Sequence, residues 1–95
     1  MKPANELDQI LFSAARLKIL AFLRTNGSAE FTQIRDELNL PSGNLSIQIK
    51  KLKEAGYLEI QKSFKDNYPL TVCRISNKGN EALQDFKQKI NDLLA

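Results

Sequence analysis

The stretch PSGNLSIQIKKLKEAGYL, from Pro41 to Leu58, decides the fold. Proline disfavours helical backbone at the residue before it, and the Ser42 hydroxyl can accept a hydrogen bond from a first-turn N–H, so a helix is predicted to begin here. Gly56 supplies the left-handed residue that commonly ends a helix. The residues YLEI that follow have the period-two alternation of a strand. The stretch therefore predicts a helix that runs directly into a strand.

The two sides of the predicted helix differ in chemistry. One side repeats apolar residues at the i, i+4 and i+7 positions of a buried stripe, namely Leu45, Ile49 and Leu52. The opposite side has two cations, short polar residues, one outward-facing Ile and no acid. It comprises Gly43, Asn44, Ile47, Lys50 and Lys51. Solvated helix faces usually carry both charge signs, so this face is predicted to bind a polyanion.

Length and composition indicate one globular domain over residues 1–95. The chain is 42% hydrophobic and 26% charged, which is an ordinary globular composition. No run approaches the roughly 18 apolar residues that span a bilayer, and the first eight residues do not have the pattern of a signal peptide. We therefore expect a cytoplasmic protein with no membrane partner.

The side-chain inventory argues against metal binding and catalysis. One cysteine and no histidine exclude an internal disulfide and leave no zinc or iron site. The sequence shows no phosphate-binding glycine loop and no activated nucleophile, so we expect a protein that is not an enzyme and has no cofactor. Cys73 is interpreted as a small core residue. The alternative, a redox switch, requires an exposed thiolate.

The net charge of +3 is concentrated in one part of the chain. Residues 1–41 contain five cations and five acids, and residues 75–95 contain three of each. Residues 42–74 contain six cations and three acids, so the whole excess lies in the predicted helix and the segment after it. Clustering of this kind is typical of a phosphate-binding surface.

The N-terminal part of the chain is predicted to be helical. Asn5 or a neighbour can cap a short helix with Leu7, Ile10 and Leu11 on one side. Ser13 can cap a second helical segment, which continues to an Asn-Gly pair. The pattern leaves open whether the two segments form one bent helix or stay separate.

A helix-turn-helix is predicted over residues 32–55. Ala29–Phe31 is interpreted as a short strand that pairs with a later hairpin. Thr32 is expected to cap a short helix, and Asn39–Pro41 forms the turn before the next one. Two helices joined by such a short turn form a helix-turn-helix. The alternative is a generic helical hairpin of a small α protein.

A β-hairpin and a final helix follow. Tyr57–Phe64 and Leu70–Ile75 are predicted strands, joined by the polar loop Lys65–Pro69. Leu58, Ile60 and Phe64 are expected on one face of the first strand. Ser76 can cap a last helix with one apolar stripe. The predicted fold class is mainly α with a small β-hairpin, an α+β arrangement.

Two segments carry a family resemblance. FTQIRDELNLPSGNLSIQIKKLKEAGYLEIQKSF (31–64) and TVCRISNKGNEAL (71–83) resemble the winged helix-turn-helix transcriptional regulators of the MarR and ArsR type, and are most similar to the short single-domain members. The resemblance extends from about residue 16 to residue 83. It implies a homodimer that binds double-stranded DNA, with the helix after the turn in the major groove and the hairpin as a wing on the backbone or minor groove.

The resemblance also assigns roles to individual residues. Those at base-reading positions are Asn44, Ile47 and Gln48. Those at positions that touch phosphates or outer base edges are Ser42, Ser46, Lys50 and Lys51 on the helix and Lys62, Lys65, Asn67 and Arg74 on the wing. A thymine methyl group is the favoured partner of Ile47. Its other interpretations are a tolerated surface residue and a subunit contact.

The terminal segments carry more apolar residues than one 95-residue core is expected to absorb. A symmetric homodimer is the commonest way to cover such a surface. The residues predicted for this interface are Leu7, Ile10, Leu11, Phe86, Ile90, Leu93 and Leu94.

Two further expectations concern partners. The metal-sensing members of the resembled group use cysteine pairs and histidine clusters, which this chain lacks, so metal sensing is not expected, and the effector ligand is unknown. The alternative function is a winged-helix adaptor for protein–protein interaction without DNA readout. An adaptor is expected to present acids or apolar groups where this helix presents Asn and Lys.

Overall fold

The computed structural model describes residues 6–95, and in that range it contains four helices and one three-stranded sheet. The elements in chain order are α1 (Ala14–Asn26), β1 (Ser28–Glu30), α2 (Phe31–Leu38), α3 (Ser42–Glu54), β2 (Leu58–Lys65), β3 (Tyr68–Ile75) and α4 (Asn77–Leu94). The predicted fold class, mainly α with a small hairpin, is confirmed. No helix among the described residues is long and apolar enough to cross a membrane.

The N-terminal region contains one helix rather than two. Ser13 is the N-cap of α1, as predicted, and its hydroxyl accepts a hydrogen bond from the Arg16 N–H at 3.3 Å. The expected short helix before it is wrong, because the segment folds as a turn. The Asp8 carboxylate accepts from the Ile10 N–H at 2.9 Å, a local bond that competes with helix formation. The cap predicted at Asn5 lies outside the described residues.

Two other predicted helix caps are wrong, by two residues for Thr32 and by one for Ser42. α2 begins at Phe31, one residue before Thr32, because the chain enters the helix directly from β1 and Glu30 is the N-cap. α3 begins at Ser42 itself, with Pro41 in extended backbone as the N-cap. Neither helix has a side-chain cap bond.

Positive φ angles end both helices of the helix-turn-helix, and the one at Gly56 was predicted. Asn39, with φ 53°, ends α2 in left-handed backbone and opens the short turn to α3. Gly56, with φ 82°, follows α3 and donates its N–H to the Lys53 carbonyl at 2.9 Å. Tyr57 donates its N–H to the Leu52 carbonyl at 2.9 Å, so the chain leaves the helix directly into β2.

The three strands are antiparallel in the order β1-β3-β2. β1 pairs with β3, as predicted for the short strand. β2 begins and ends one residue later than predicted, and β3 begins two residues earlier, so the strands are joined by only two residues, Asp66 and Asn67, with φ 51° and 67°. Two successive positive φ angles are typical of a type I′ turn, which matches the twist of a hairpin. Phe64 is on the predicted strand face but is 76% exposed, because the hairpin extends beyond the core.

The core lies between α1, α3, α4 and the base of the sheet. Thirteen buried hydrophobic residues form it: Leu11, Ile19, Leu20, Leu23, Ala29, Ile34, Leu45, Ile49, Leu52, Leu58, Cys73, Leu83 and Phe86. Leu11 and Phe86, which were predicted to face a dimer partner, are both in this set. Their apolar surface is therefore covered by the chain's own fold.

Candidate nucleic-acid interface

The outward face of α3 has the chemistry that the sequence predicted. Leu45, Ile49 and Leu52 are buried, while Ile47 on the opposite side is 55% exposed. Gly43, Asn44, Lys50 and Lys51 are also exposed. The helix therefore presents one apolar side chain surrounded by small, amide and cationic groups.

One flank of α3 faces the hairpin across a groove of about 430 Å³. Its lining contains three lysines, two hydroxyl side chains and an apolar floor. The lining residues are Phe31, Ser46, Ile49, Lys50, Lys53, Ile60, Lys62 and Thr71. No acid belongs to this lining, so the groove concentrates positive charge between the helix and the wing.

The sheet register separates the cations of the wing onto two faces. Lys62 is opposite Thr71, and its ammonium donates to the threonine hydroxyl at 3.2 Å. The neighbouring pair on the same face of the sheet is Ile60 and Cys73. This face packs on the core near Cys73 and faces α3 near Lys62. Arg74 is opposite Glu59 on the other face of the sheet, and Lys65 is opposite Tyr68 on that same face. Asn67 is in the turn.

The other flank of α3 is tied to the start of α1. The Gln48 side-chain oxygen accepts a hydrogen bond from Arg16 Nη1 at 2.6 Å. The Gln48 side-chain nitrogen donates to Asn44 Oδ1 at 3.0 Å. Arg16 Nε donates to the Ile10 carbonyl at 2.5 Å. The two amides predicted to read bases therefore form one hydrogen-bonded network with an arginine from a different helix.

Three residues of this surface are absent from the predicted list of DNA contacts. Lys53 shares a helical stripe with Ser46 and Lys50, at i+7 and i+3 from them, so this spacing was a usable signal. Thr71 follows from the strand register once the turn is known. Arg16 is 32 residues before Gln48, and no sequence pattern indicates their contact.

The residues predicted for a dimer interface differ in their exposure. Leu7, Ile10 and Ile90 are half-buried and pack against the core. Leu93 is 49% exposed and Leu94 is 78% exposed at the end of α4. A groove of about 480 Å³ between α1 and α4 is lined partly by Leu17, Ala21, Leu83, Phe86 and Ile90. Among the residues predicted for the dimer interface, the uncovered apolar surface is thus mainly that of Leu93 and Leu94, at the end of α4.

The remaining titratable groups near the site have structural roles. Cys73 is fully buried, as predicted, and burial raises the pKa of its thiol. The Tyr57 hydroxyl donates to the Asp8 carboxylate. Burial, with the hydrogen bond and charge of Asp8, raises the pKa of Tyr57 to about 12. Within residues 6–95, no three Asp, Glu or Cys side chains cluster as metal ligands would.

The family and relatives of the chain agree with this geometry. A family model described as "Winged helix DNA-binding domain" matches residues 15–94. An uncharacterized protein of Methanocaldococcus jannaschii is 38% identical over 85 residues, which are 90% of this chain and 92% of that protein. The structure of a transcriptional regulator homologue from Pyrococcus horikoshii OT3 has a TM-score of 0.86 and 32% identity, covering 92% of this chain and 86% of that one.

The fold also extends to more distant structures. A mutant MarR from E. coli, solved in complex with operator DNA, has a TM-score of 0.74 at 18% identity. The aligned part covers 87% of this chain and 59% of that one. The MarR-like winged-helix fold implied by the sequence resemblance is therefore confirmed, and the chain belongs to the winged helix DNA-binding domain family.

Proposed function

We propose that this protein is a homodimeric transcriptional regulator that binds double-stranded DNA in a sequence-specific manner. α3 enters the major groove, and the β2–β3 hairpin contacts the backbone beside it. The observation that carries the proposal is the lysine-lined groove between α3 and the hairpin, which adjoins the exposed face of α3. The Pyrococcus horikoshii relative, described as a transcriptional regulator homologue, supports the regulatory role.

The exposed residues of α3 are proposed to fall into two sets, those that contact bases and those that contact phosphates. Ile47 is exposed at the centre of the face, where it offers apolar contact to a thymine methyl group. Asn44 and Gln48 offer amide groups to base edges from one flank. Ser46, Lys50 and the additional Lys53 face the groove on the other flank, where the hydroxyl and the two ammonium groups would bind a phosphate backbone. Ser42 and Lys51 are exposed for outer contacts.

The wing residues are proposed to differ in importance. Lys62 faces the groove, so it should contribute a phosphate contact. Lys65 and Asn67 are at the tip of the hairpin, within reach of a flanking backbone. Arg74 is at the base of the hairpin on the opposite sheet face, beside Glu59. We therefore expect Arg74 to contribute little to DNA affinity.

Salt dependence tests this division. Replacing Lys62 with Gln removes one phosphate contact, so the slope of log affinity against log salt should become shallower by about one unit. Arg74→Gln removes the same charge from the opposite sheet face and should leave the slope unchanged. Both variants would be titrated with one duplex by fluorescence anisotropy at several salt concentrations. Equal slopes for Lys62→Gln and the parent protein would contradict the proposed wing contact.

The dimer is proposed to form through the C-terminal half of α4 and the groove between α1 and α4. Leu93 and Leu94 are exposed, so replacing both with Asp should give monomers without disturbing the core. Phe64→Asp is the matched control, because it removes an exposed apolar side chain from the wing instead. Sedimentation should show a dimer for the parent and the control. A monomeric parent protein at micromolar concentration would refute the dimer.

A two-fold dimer would place two recognition helices on successive turns of the same DNA face. The half-sites should then be about 10 base pairs apart, centre to centre, on a pseudo-palindrome. Selection from random duplexes measures this spacing directly. Failure to select any consensus would favour the adaptor function over DNA readout.

A further inference from the structure

We infer that Arg16 determines which hydrogen-bonding groups α3 offers to the bases, and that it thereby sets a preference for guanine over adenine. The inference rests on the proposed function, because it concerns the same base-reading surface. Arg16 acts through Gln48 and Asn44, so it is a positioning residue and need not touch a base.

The argument begins with the chemistry of the guanidinium group. Arginine has N–H donors and no acceptor. The Gln48 atom that lies 2.6 Å from Arg16 Nη1 must therefore be the amide oxygen. The same guanidinium is held by the Ile10 carbonyl, at 2.5 Å from Nε, so two bonds fix its plane. Among residues 6–95, neither of the two salt bridges includes Arg16. Its described hydrogen bonds go to two uncharged oxygens, those of the Ile10 carbonyl and the Gln48 side chain.

The orientation of the Gln48 side-chain amide also fixes the orientation of the Asn44 side-chain amide. With its oxygen turned toward Arg16, Gln48 has its NH₂ group on the other side, 3.0 Å from the Asn44 side chain. An N–H donor requires an acceptor, so the Asn44 oxygen must face Gln48. The Asn44 NH₂ group is then free, and Asn44 is exposed. The pair therefore turns N–H donors outward, because each amide oxygen points toward a donor of the protein.

The outward N–H donors of Asn44 and Gln48 match the major-groove edge of guanine better than that of adenine. Adenine offers an acceptor and a donor in the major groove, so a paired amide must supply both its NH₂ group and its oxygen. Guanine offers two acceptors, N7 and O6, which match two N–H donors. Residue types alone favour adenine for Asn and Gln. The network instead favours guanine at the base pair that Asn44 and Gln48 reach.

The test compares two duplexes. The base pair to be tested is first identified by selecting binding sites from random duplexes with the parent protein and with Asn44→Ala. It is the position at which the parent shows a base preference and the variant shows none. The parent protein should then bind the duplex with guanine there about tenfold more tightly than the duplex with adenine. Arg16→Met frees the Gln48 amide to rotate, so the ratio should fall toward one. Arg16→Lys retains the charge but not the planar two-donor geometry, so the ratio should fall while the salt slope stays as in the parent.

A double variant shows whether Arg16 acts through Gln48. Adding Arg16→Met to Gln48→Ala should change the guanine-to-adenine ratio no further than Gln48→Ala alone. An Arg16→Met variant that weakens both duplexes equally and keeps the tenfold ratio would overturn the inference, since Arg16 would then be a phosphate contact. A parent preference for adenine at this position would overturn it as well.

A measurement without DNA separates this inference from the proposed function. In the free protein, Arg16→Met should shift the side-chain amide NMR signals of both Gln48 and Asn44. Unchanged Asn44 signals would show that the network does not exist in solution and would overturn the inference. If the parent selects no DNA consensus but these signals shift, the proposed function fails while the Arg16 network stands.

Discussion

Gly79, on the first turn of α4, allows the closest backbone approach between that helix and the start of the wing. A Cβ placed there would overlap the Tyr57 carbonyl oxygen and lie 2.9 Å from the Tyr57 carbonyl carbon and 3.0 Å from Ile75 Cγ1. Backbone atoms cannot turn aside as the end of a flexible side chain can. We therefore predict that Gly79→Ala displaces α4 from the hairpin and destabilises the fold.

The magnitude follows from two opposing effects. Alanine in place of glycine favours a helix interior by about 1 kcal/mol. Against this, overpacking a tight site costs about 1–3 kcal/mol, and displacement strains the cap of α4 as well. In that cap, the Ser76 hydroxyl accepts from the Gly79 N–H at 3.0 Å and donates to the Gly56 carbonyl at 2.5 Å. Loss of a helix cap costs about 1 kcal/mol, which offsets the gain in helix propensity, so the net destabilisation should be about 1–3 kcal/mol.

Gly43 provides the matched control. It is on the first turn of α3, and a Cβ there would meet no atom within 4 Å. Gly43→Ala should therefore stabilise the fold by about 0.5 kcal/mol through helix propensity alone. Urea unfolding followed by circular dichroism measures both variants, at one protein concentration because a dimer would make stability concentration-dependent. A Gly79→Ala variant at least as stable as the parent would refute the close approach.

Two further variants test the hairpin and its junction. Because the folded pKa of Tyr57 is about 12 and the unfolded value is about 10, its contribution to stability is complete below about pH 10 and is lost between about pH 10 and 12. Tyr57→Phe should thus lose less stability over that window in urea melts, and an equal loss would contradict the raised pKa that burial and Asp8 give to Tyr57. Asn67→Gly places glycine at a turn residue with φ 67°, so the free energy of unfolding should increase by about 0.5 kcal/mol and the melting temperature should rise. A lower melting temperature would argue against the type I′ turn.

Local sequence patterns predicted those parts of the fold whose causes are local. The stripe of Leu45, Ile49 and Leu52 placed α3 because burial on a helix follows a fixed period. Gly56 placed its end because few other residues adopt φ near 82°. The caps at Ser13 and Ser76 were also correct, since each side chain bonds an N–H three residues away.

The errors have causes beyond the local pattern. Thr32 and Ser42 were suitable caps, but Glu30 and Pro41 hold extended backbone and start the helices two residues and one residue earlier than those caps require. The hairpin loop was predicted too long, since positive φ at two non-glycine residues is uncommon. Leu11 was assigned to a partner because its apolar pattern does not show which surface covers it.

The residue types on the candidate site could be predicted from the sequence, but the contacts between its residues could not. The exposed face of α3 followed from helical periodicity, and the excess of cations followed from counting. The contact between Arg16 and Gln48 depends on how α1 packs beside α3, which periodicity does not specify. The different sheet faces of Lys62 and Arg74 depend on strand register, which the length of the turn determines.

The two flanks of α3 are therefore expected to contribute differently to recognition. Lysines on the flank that faces the wing attract phosphates, which carry no base sequence. The flank that faces α1 carries the amides of Asn44 and Gln48, whose orientation an arginine from another helix controls. Because the two flanks share no hydrogen bond among the described residues, their effects on binding free energy should add. Relatives that keep the wing lysines but change the residue at position 16 should thus retain affinity for DNA while preferring a different base.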